Sequence, residues 1–225
     1  MNEAGGRGTN AAGFVLAGGE SRRMGRDKAL IPFRGRPLVT WALETLRAAG
    51  LETRIAGART ALEGLAPVVP DPEPGLGPLS GVCAGLAVTE APWGVFLPVD
   101  LPLLPASLIA FLLNHARITG RAVTLPSVNG FAQTFPAVVE RAALPVLQVE
   151  LAGGRRGCFA AFRTAASAFN QEVSVVPVEY CVQAGHLSCP YGLPAACWFE
   201  SVNTPQRLEW AMALAAKPAG RARFA

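Results

Sequence analysis

The sequence predicts an α/β domain: a Rossmann-like, three-layer sandwich whose central sheet is mostly parallel. Three observations carry this. Short apolar segments alternate with segments whose apolar residues recur at helical spacing, which implies parallel strands joined by right-handed crossovers. The segment Trp93 to Leu97 is apolar throughout, as suits a strand covered on both faces. The length of 225 residues accommodates one domain with a sizeable core, and a hydrophobic share of 51% against 16% charged excludes disorder.

The elements follow in order. A first strand spans Gly13 to Ala17. The next helix opens at Pro37, a favoured first-turn residue, and stops before Gly50. Its expected buried stripe is Leu38, Trp41, Ala42, Thr45, Leu46 and Ala49. Strands are predicted over Thr53 to Ala56 and at Val68 and Val69. Helix Leu79 to Val88 carries Gly81, Ala84 and Gly85, small enough for close approach to a neighbour. Strand Trp93 to Leu97 leads through a proline-rich turn into helix Ser107 to Ala116, where His115 is expected to face solvent or satisfy the helix dipole. Beyond Arg121 the pattern loosens. Ala122 to Leu125, Phe131 to Val139 and Val173 to Val178 read as strands. Ala142 to Glu150, Cys158 to Ala166 and Pro205 to Ala216 read as helices, and Tyr180 to Cys197 matches neither.

Composition narrows the function class. Met1 to Ala12 is expected to be a flexible tail, 13–216 a single domain, and 217–225 a basic tail. Neither a secretory signal nor a run of 18 uninterrupted apolar residues is present, so a cytoplasmic protein without membrane contact is expected. The five cysteines show no C-x-x-C spacing and read as reduced thiols packed in loops, rather than as a zinc site with His186. The net charge is +4, and the basic residues lack the aromatic interleaving of a nucleic-acid surface. They cluster instead at Arg22, Arg23, Arg26, Lys28, Arg34 and Arg36, which points to a small polyanion.

That cluster surrounds the most informative stretch, Leu16-Ala17-Gly18-Gly19-Glu20-Ser21-Arg22-Arg23-Met24-Gly25-Arg26-Asp27-Lys28-Ala29. Paired glycines let backbone N–H groups turn toward a ligand with no Cβ in the way, and successive N–H groups form a concave anion site. It is not a P-loop, because Gly19 and Gly25 stand one residue too far apart and Arg26 follows them; the dinucleotide pattern G-x-G-x-x-G is also absent. The pattern L-A-G-G-x-S-x-R-M-G-x-D-K-A resembles the signature loop of nucleotidyltransferases, in particular the molybdenum cofactor guanylyltransferase family. The resemblance implies the nucleotide-diphospho-sugar transferase type of three-layer fold, with Arg23, Lys28 and Asp100 as catalytic residues.

Further segments support it. Asp100 ends the buried strand in Leu97-Pro98-Val99-Asp100-Leu101-Pro102, at the sheet edge where open parallel sheets place their ligands. A carboxylate there suits a Mg²⁺ ion bridging phosphate oxygens, a turn role is the alternative, and the segment resembles the family's metal motif. Asp71, followed by Gly77-Pro78-Leu79-Ser80-Gly81, is similar to the family segment over base and ribose; a plain strand-to-helix connection is the other reading. The resemblance implies nucleotide contacts from Leu16, Ala17, Gly18, Gly19, Lys28, Asp71, Gly77, Pro78, Leu79, Gly81 and Asp100. Ser201-Val202-Asn203-Thr204-Pro205 resembles the segment that closes these domains, and Asn203 either joins Asp100 at the metal or caps the last helix. Gln133-Thr134-Phe135-Pro136-Ala137 resembles the acceptor-side strand, with Thr134 where proline is usual.

The resemblance therefore implies transfer of GMP from Mg-GTP to molybdopterin, the molybdenum cofactor, with pyrophosphate released. It also implies transient contacts with proteins that make the cofactor or receive it. Two alternatives stand beside it: a related transferase using CTP or another small phosphate acceptor, and a non-catalytic nucleotide sensor.

Overall fold

The computed structural model describes residues 10–18, 27–57, 62–71, 75–155, 157–189 and 191–216. In chain order the strands are β1 (Ala11–Leu16), β2 (Pro32–Phe33), β3 (Arg36–Pro37), β4 (Glu52–Ala56), β5 (Val68–Val69), β6 (Trp93–Pro98), β7 (Val123–Val128), β8 (Phe131–Ala132), β9 (Ala137–Glu140) and β10 (Ser174–Pro177). The helices are α1 (Leu38–Ala48), α2 (Pro78–Val88), α3 (Ala106–Thr119), α4 (Leu144–Ala152), α5 (Cys158–Ala168), α6 (Val178–Gln183), α7 (Ala195–Trp198) and α8 (Pro205–Ala216). Among the described residues no helix is long and apolar enough to cross a membrane.

The main sheet runs β10-β7-β9-β6-β1-β4-β5, with β8 folded back on β7. β1 pairs in parallel with β4 and β6, and β10 pairs in parallel with β7, whereas β9 runs against both β6 and β7. The sheet is thus mostly parallel, as the alternating pattern predicts. Side chains alternate across it. Val15, Val95 and Leu97 join α1 and α3 on one face, while Phe14, Leu16 and Phe96 join α2, α4 and α5 on the other. Phe14 and Phe96 stack with ring centres 5.2 Å apart. A Cβ on Gly85 would lie 2.9 Å from Phe96 and 3.0 Å from Phe14, so only glycine lets α2 sit this close to the sheet.

The departures from expectation have local causes. β1 starts at Ala11, so Ala11 and Ala12 belong to the sheet and not to the tail. In α1 the buried set includes Val39 and Leu43, while Trp41 and Thr45 are only half-buried. The helix is covered on its flank as well: the small β2–β3 hairpin accepts a 2.8 Å hydrogen bond from Trp41 Nε1 at the Phe33 carbonyl. The strand expected over Phe131 to Val139 splits at Gln133–Pro136, where proline has no N–H to give a ladder. The helix expected at Ala142 begins as a 3-10 turn over Arg141–Ala143 and becomes α-helical at Leu144. His115 Nε2 lies 2.9 Å from Ser174 Oγ, partly buried against β10, not turned to solvent.

The stretch with no sequence pattern folds into α6 and α7. Trp198 is fully buried there and donates a 2.9 Å hydrogen bond to the Leu193 carbonyl. Cys181 and Cys189 pack against the same core, and His186 stacks on Phe111 with centres 5.9 Å apart.

Candidate active site

The carboxyl ends of β1 and β6 form the floor of the site. Val99 N donates to the Leu16 carbonyl at 3.3 Å, and Ala17 N continues the β1–β4 ladder to Ala56 O at 3.1 Å. This fixes the exit of β1 and leaves Gly18 exposed at the edge. Gly57 backs the exit from β4. Its φ is +143°, and a Cβ there would sit 3.0 Å from Gly18 N, so glycine is required on both counts. Gly19, Arg22 and Arg23 lie outside the described residues.

Lys28 stands in a 3-10 turn over Lys28–Leu30, capped by Asp27, whose Oδ1 accepts from Ala29 N at 3.0 Å. From there its ammonium reaches Asp100 across the site. Lys28 Nζ lies 2.7 Å from Asp100 Oδ2, with both side chains 19% exposed. Ser201 Oγ donates to the same carboxylate oxygen at 2.8 Å. Lys28 also donates to Asn203 Oδ1, and Asn203 Nδ2 bonds Ser201 Oγ, which closes a ring of four side chains. The backbone supports it: Val202 N donates to the Asp100 carbonyl at 2.9 Å.

Asn203 does not cap α8. Thr204 does, its Oγ1 accepting from Arg207 N at 3.3 Å, while Asn203 turns to Lys28 and Ser201. Asp100 sits in a turn, yet its carboxylate engages Lys28 and Ser201 and is not used as a cap. Ser201 is the member of the ring that the sequence motifs do not single out. Extended backbone sends alternate side chains to opposite sides. Val202 is buried, so Ser201 shares the side of Asn203, a signal available in the sequence.

A cavity of about 430 Å³ opens above this ring. Leu16, Gly18, Lys28, Pro78 and Asp100 line one side. Gln133, Thr134, Phe135 and Phe199 line the remainder, which brings the two halves expected from the sequence to one place. Phe135 is braced edge-on against Phe162, with ring centres 6.2 Å apart.

Pro78 is the first residue of α2, after Gly77 at φ +87°. Asp71 sits beside this helix start and accepts a hydrogen bond from Ser80 Oγ. Leu79 and Gly81 serve packing: Leu79 is fully buried, and a Cβ on Gly81 would approach Leu16 to 3.0 Å. The Cys83 thiol below is pushed up to about 11, by burial first and by the Asp71 carboxylate second.

The oxygen donors that line the cavity are hard: the Asp100 carboxylate and the Ser201 hydroxyl, with the Asn203 amide bonded behind them to Lys28 and Ser201. Among the described residues no group of three His, Cys, Asp or Glu could hold a metal alone. The set therefore fits a divalent metal that arrives with phosphate oxygens, the mode in which one or two carboxylates suffice.

The MobA-like NTP transferase domain model matches residues 13–176. A molybdenum cofactor guanylyltransferase from Xanthomonas euvesicatoria pv. vesicatoria is 47% identical over 103 residues, 45% of this chain and 52% of that protein. One from Pseudomonas putida F1 is 36% identical over 148 residues, 64% of this chain and 77% of that protein. The chain thus spans about half the length of the first relative and more than two thirds of the second. Molybdopterin-guanine dinucleotide biosynthesis protein A from Archaeoglobus fulgidus has a TM-score of 0.71 at 20% identity, covering 90% of this chain and 97% of its own. The 2-C-methyl-D-erythritol 4-phosphate cytidylyltransferase of Thermus thermophilus has a TM-score of 0.63 at 18% identity, with the same coverage of 90% and 97%. These two structures show a shared fold. With the family model spanning the segments that carry Lys28 and Asp100, the chain belongs to the MobA-like NTP transferase domain family of nucleotidyltransferases.

Proposed function

We propose that this nucleotidyltransferase moves GMP from Mg-GTP to molybdopterin, forming the guanine dinucleotide cofactor and releasing pyrophosphate. The observation that carries the reading is the Lys28–Asp100 pair, 2.7 Å apart, between the Gly18 edge and the Gln133–Phe135 wall. The relatives' names supply the guanine and the cofactor; the fold supplies neither. Gly18-Gly19 in place of Ala-Gly resembles the guanine-selective branch.

In this reading the acceptor's terminal phosphate oxygen attacks the α-phosphorus of GTP in line. The new P–O bond forms as the α–β bridging bond breaks, and pyrophosphate leaves with that bridging oxygen. A phosphate nucleophile is already ionised at neutral pH, so no general base is required. Transfers of this kind depend on positioning and charge neutralisation. Asp100 would hold Mg²⁺ with Asn203 beside it, and the ion would neutralise phosphate charge. Lys28 and Arg23 would bind the triphosphate and the leaving pyrophosphate. Backbone N–H groups of Gly18 and Gly19 would face phosphate oxygens, while Asp71 and the Gly77-Pro78 turn would border the nucleoside. Gln133, Thr134 and Phe135 would meet the acceptor. Residues 11–216 would act as one domain in the cytoplasm, in keeping with five free thiols.

Binding of GTP, CTP and ATP with and without Mg²⁺ tests the substrate. Selective, Mg-dependent GTP binding weakened by Asp100→Asn supports it. A preference for CTP moves the protein to a cytidylyl branch, and binding of none overturns the reading of the Gly18 loop.

A further inference from the structure

Asp100 Oδ2 has two donors already, Lys28 Nζ at 2.7 Å and Ser201 Oγ at 2.8 Å. Lys28 is further tethered through Asn203, which is itself held by Ser201. We propose that Lys28 bars the Asp100 carboxylate to a free divalent cation, so that the metal reaches it only as a metal–nucleotide complex. The proposal rests on the nucleotidyltransferase reading of this site and adds an order to it.

The physical argument has three parts. An ammonium at ion-pair distance cancels much of the attraction this carboxylate has for a cation, and it repels a divalent ion directly. With Lys28 and Ser201 both donating to Oδ2, a metal is left only Oδ1 of this carboxylate, close to the ammonium. And no cluster of three acidic, His or Cys side chains among the described residues offers the ion a compensating set. A polyphosphate changes each of these. Its oxygens give Lys28 Nζ a new partner, its negative charge offsets the two cations, and it brings its own ligands to the metal. Release of Lys28 and entry of the metal are then coupled, and linkage makes the coupling reciprocal: the nucleotide tightens metal binding, and the metal tightens nucleotide binding. Lys28 thereby discriminates the complexed metal from the free ion, besides its part in the transfer.

The test is Mn²⁺ binding to the full chain, read by electron paramagnetic resonance of the free ion, with no substrate turned over. Without nucleotide, Lys28→Met should bind Mn²⁺ at least about tenfold more tightly than the unmodified protein, because the competing charge is gone. Asp100→Asn placed on Lys28→Met should abolish the gain. Lys28→Gln, which keeps a polar side chain and removes the charge, should give a comparable gain and serves if Lys28→Met does not fold. Equal Mn²⁺ affinity in these variants and the unmodified protein, or a gain that survives Asp100→Asn, overturns the proposal. A separate arm adds a GTP analogue with a methylene α–β bridge to the unmodified protein, and Mn²⁺ affinity should rise. If Lys28→Met gains affinity but the analogue has no effect, the lysine bar stands and the GTP reading fails. If the analogue acts but neither Lys28 variant gains, the bar fails and the GTP reading stands.

Discussion

Two hollows lie at opposite ends of the sheet, and they use their polar groups differently. The larger, about 590 Å³, sits where β7 and β10 begin and is lined by Arg121, Ser167, Gln171 and Ser174. Gln171 is spent on backbone: its Oε1 accepts from Ala122 N at 2.8 Å, and its Nε2 donates to the Gly120 carbonyl at 3.1 Å. Ser174 is engaged with His115. The smaller hollow, about 430 Å³, lies at the strands' carboxyl ends. There Lys28, Asp100, Ser201 and Asn203 bond one another across separations of up to 175 residues. Side chains that finish strands and turns bind backbone. Side chains assembled for chemistry from distant segments bind each other and hold charge at a place substrate can reach.

This contrast can be broken by substitution at either end. Asp100→Asn should have the largest effect, lowering kcat by about a thousandfold with little change in thermal midpoint, measured by pyrophosphate release beside a melting curve. Loss of the fold instead would make Asp100 a structural turn residue. Lys28→Ala should remove about 3 kcal/mol of transition-state stabilisation, and a loss of turnover below about tenfold would contradict its role. Ser201→Ala removes one hydrogen bond to a charged group and should lower kcat about tenfold; an unchanged kcat would reduce the ring to Lys28 and Asp100. At the other hollow, Gln171→Ala should cost about 1 kcal/mol of stability and leave kcat within about twofold, so a larger loss of turnover would undo the contrast.

The smallest effect concerns thiols. Burial pushes Cys158 up to about 12, and burial with the Asp71 carboxylate pushes Cys83 up to about 11. The thiolate is the reactive form, so both should resist a thiol reagent at about pH 8 until the protein unfolds. Rapid labelling of either residue would show that α2 or α5 opens.

The amino-terminal half was the more legible in the sequence. Its main-sheet strands pair in parallel, α1 is amphipathic and α2 is buried almost throughout, so period and apolar runs locate β1, α1, β4, β5, α2 and β6 within a residue or two, while the antiparallel β2–β3 hairpin has no such signal. Lys28 and Asp100 were readable for a different reason: each stands in a dense local motif. The carboxyl half carries less periodic signal. Gln133–Pro136 interrupts what reads as one strand, and α6 and α7 are short and held by Trp198, a tertiary contact with no local pattern. Thr204 and Asn203 compete for the capping position in sequence, and only the position of Lys28 decides between them. Alternation about Val202 puts Ser201 on the side of Asn203, but a serine beside an apolar residue is ordinary, and its role comes from Asp100, 101 residues away.

The most direct measurement is pyrophosphate release by the purified protein with molybdopterin and Mg²⁺, supplied in turn with GTP, CTP and ATP. Release with GTP, dependent on both acceptor and metal and lost in Asp100→Asn, is the expected result. Release with CTP in place of GTP, or none with any nucleotide while the protein remains folded, would contradict guanylyl transfer.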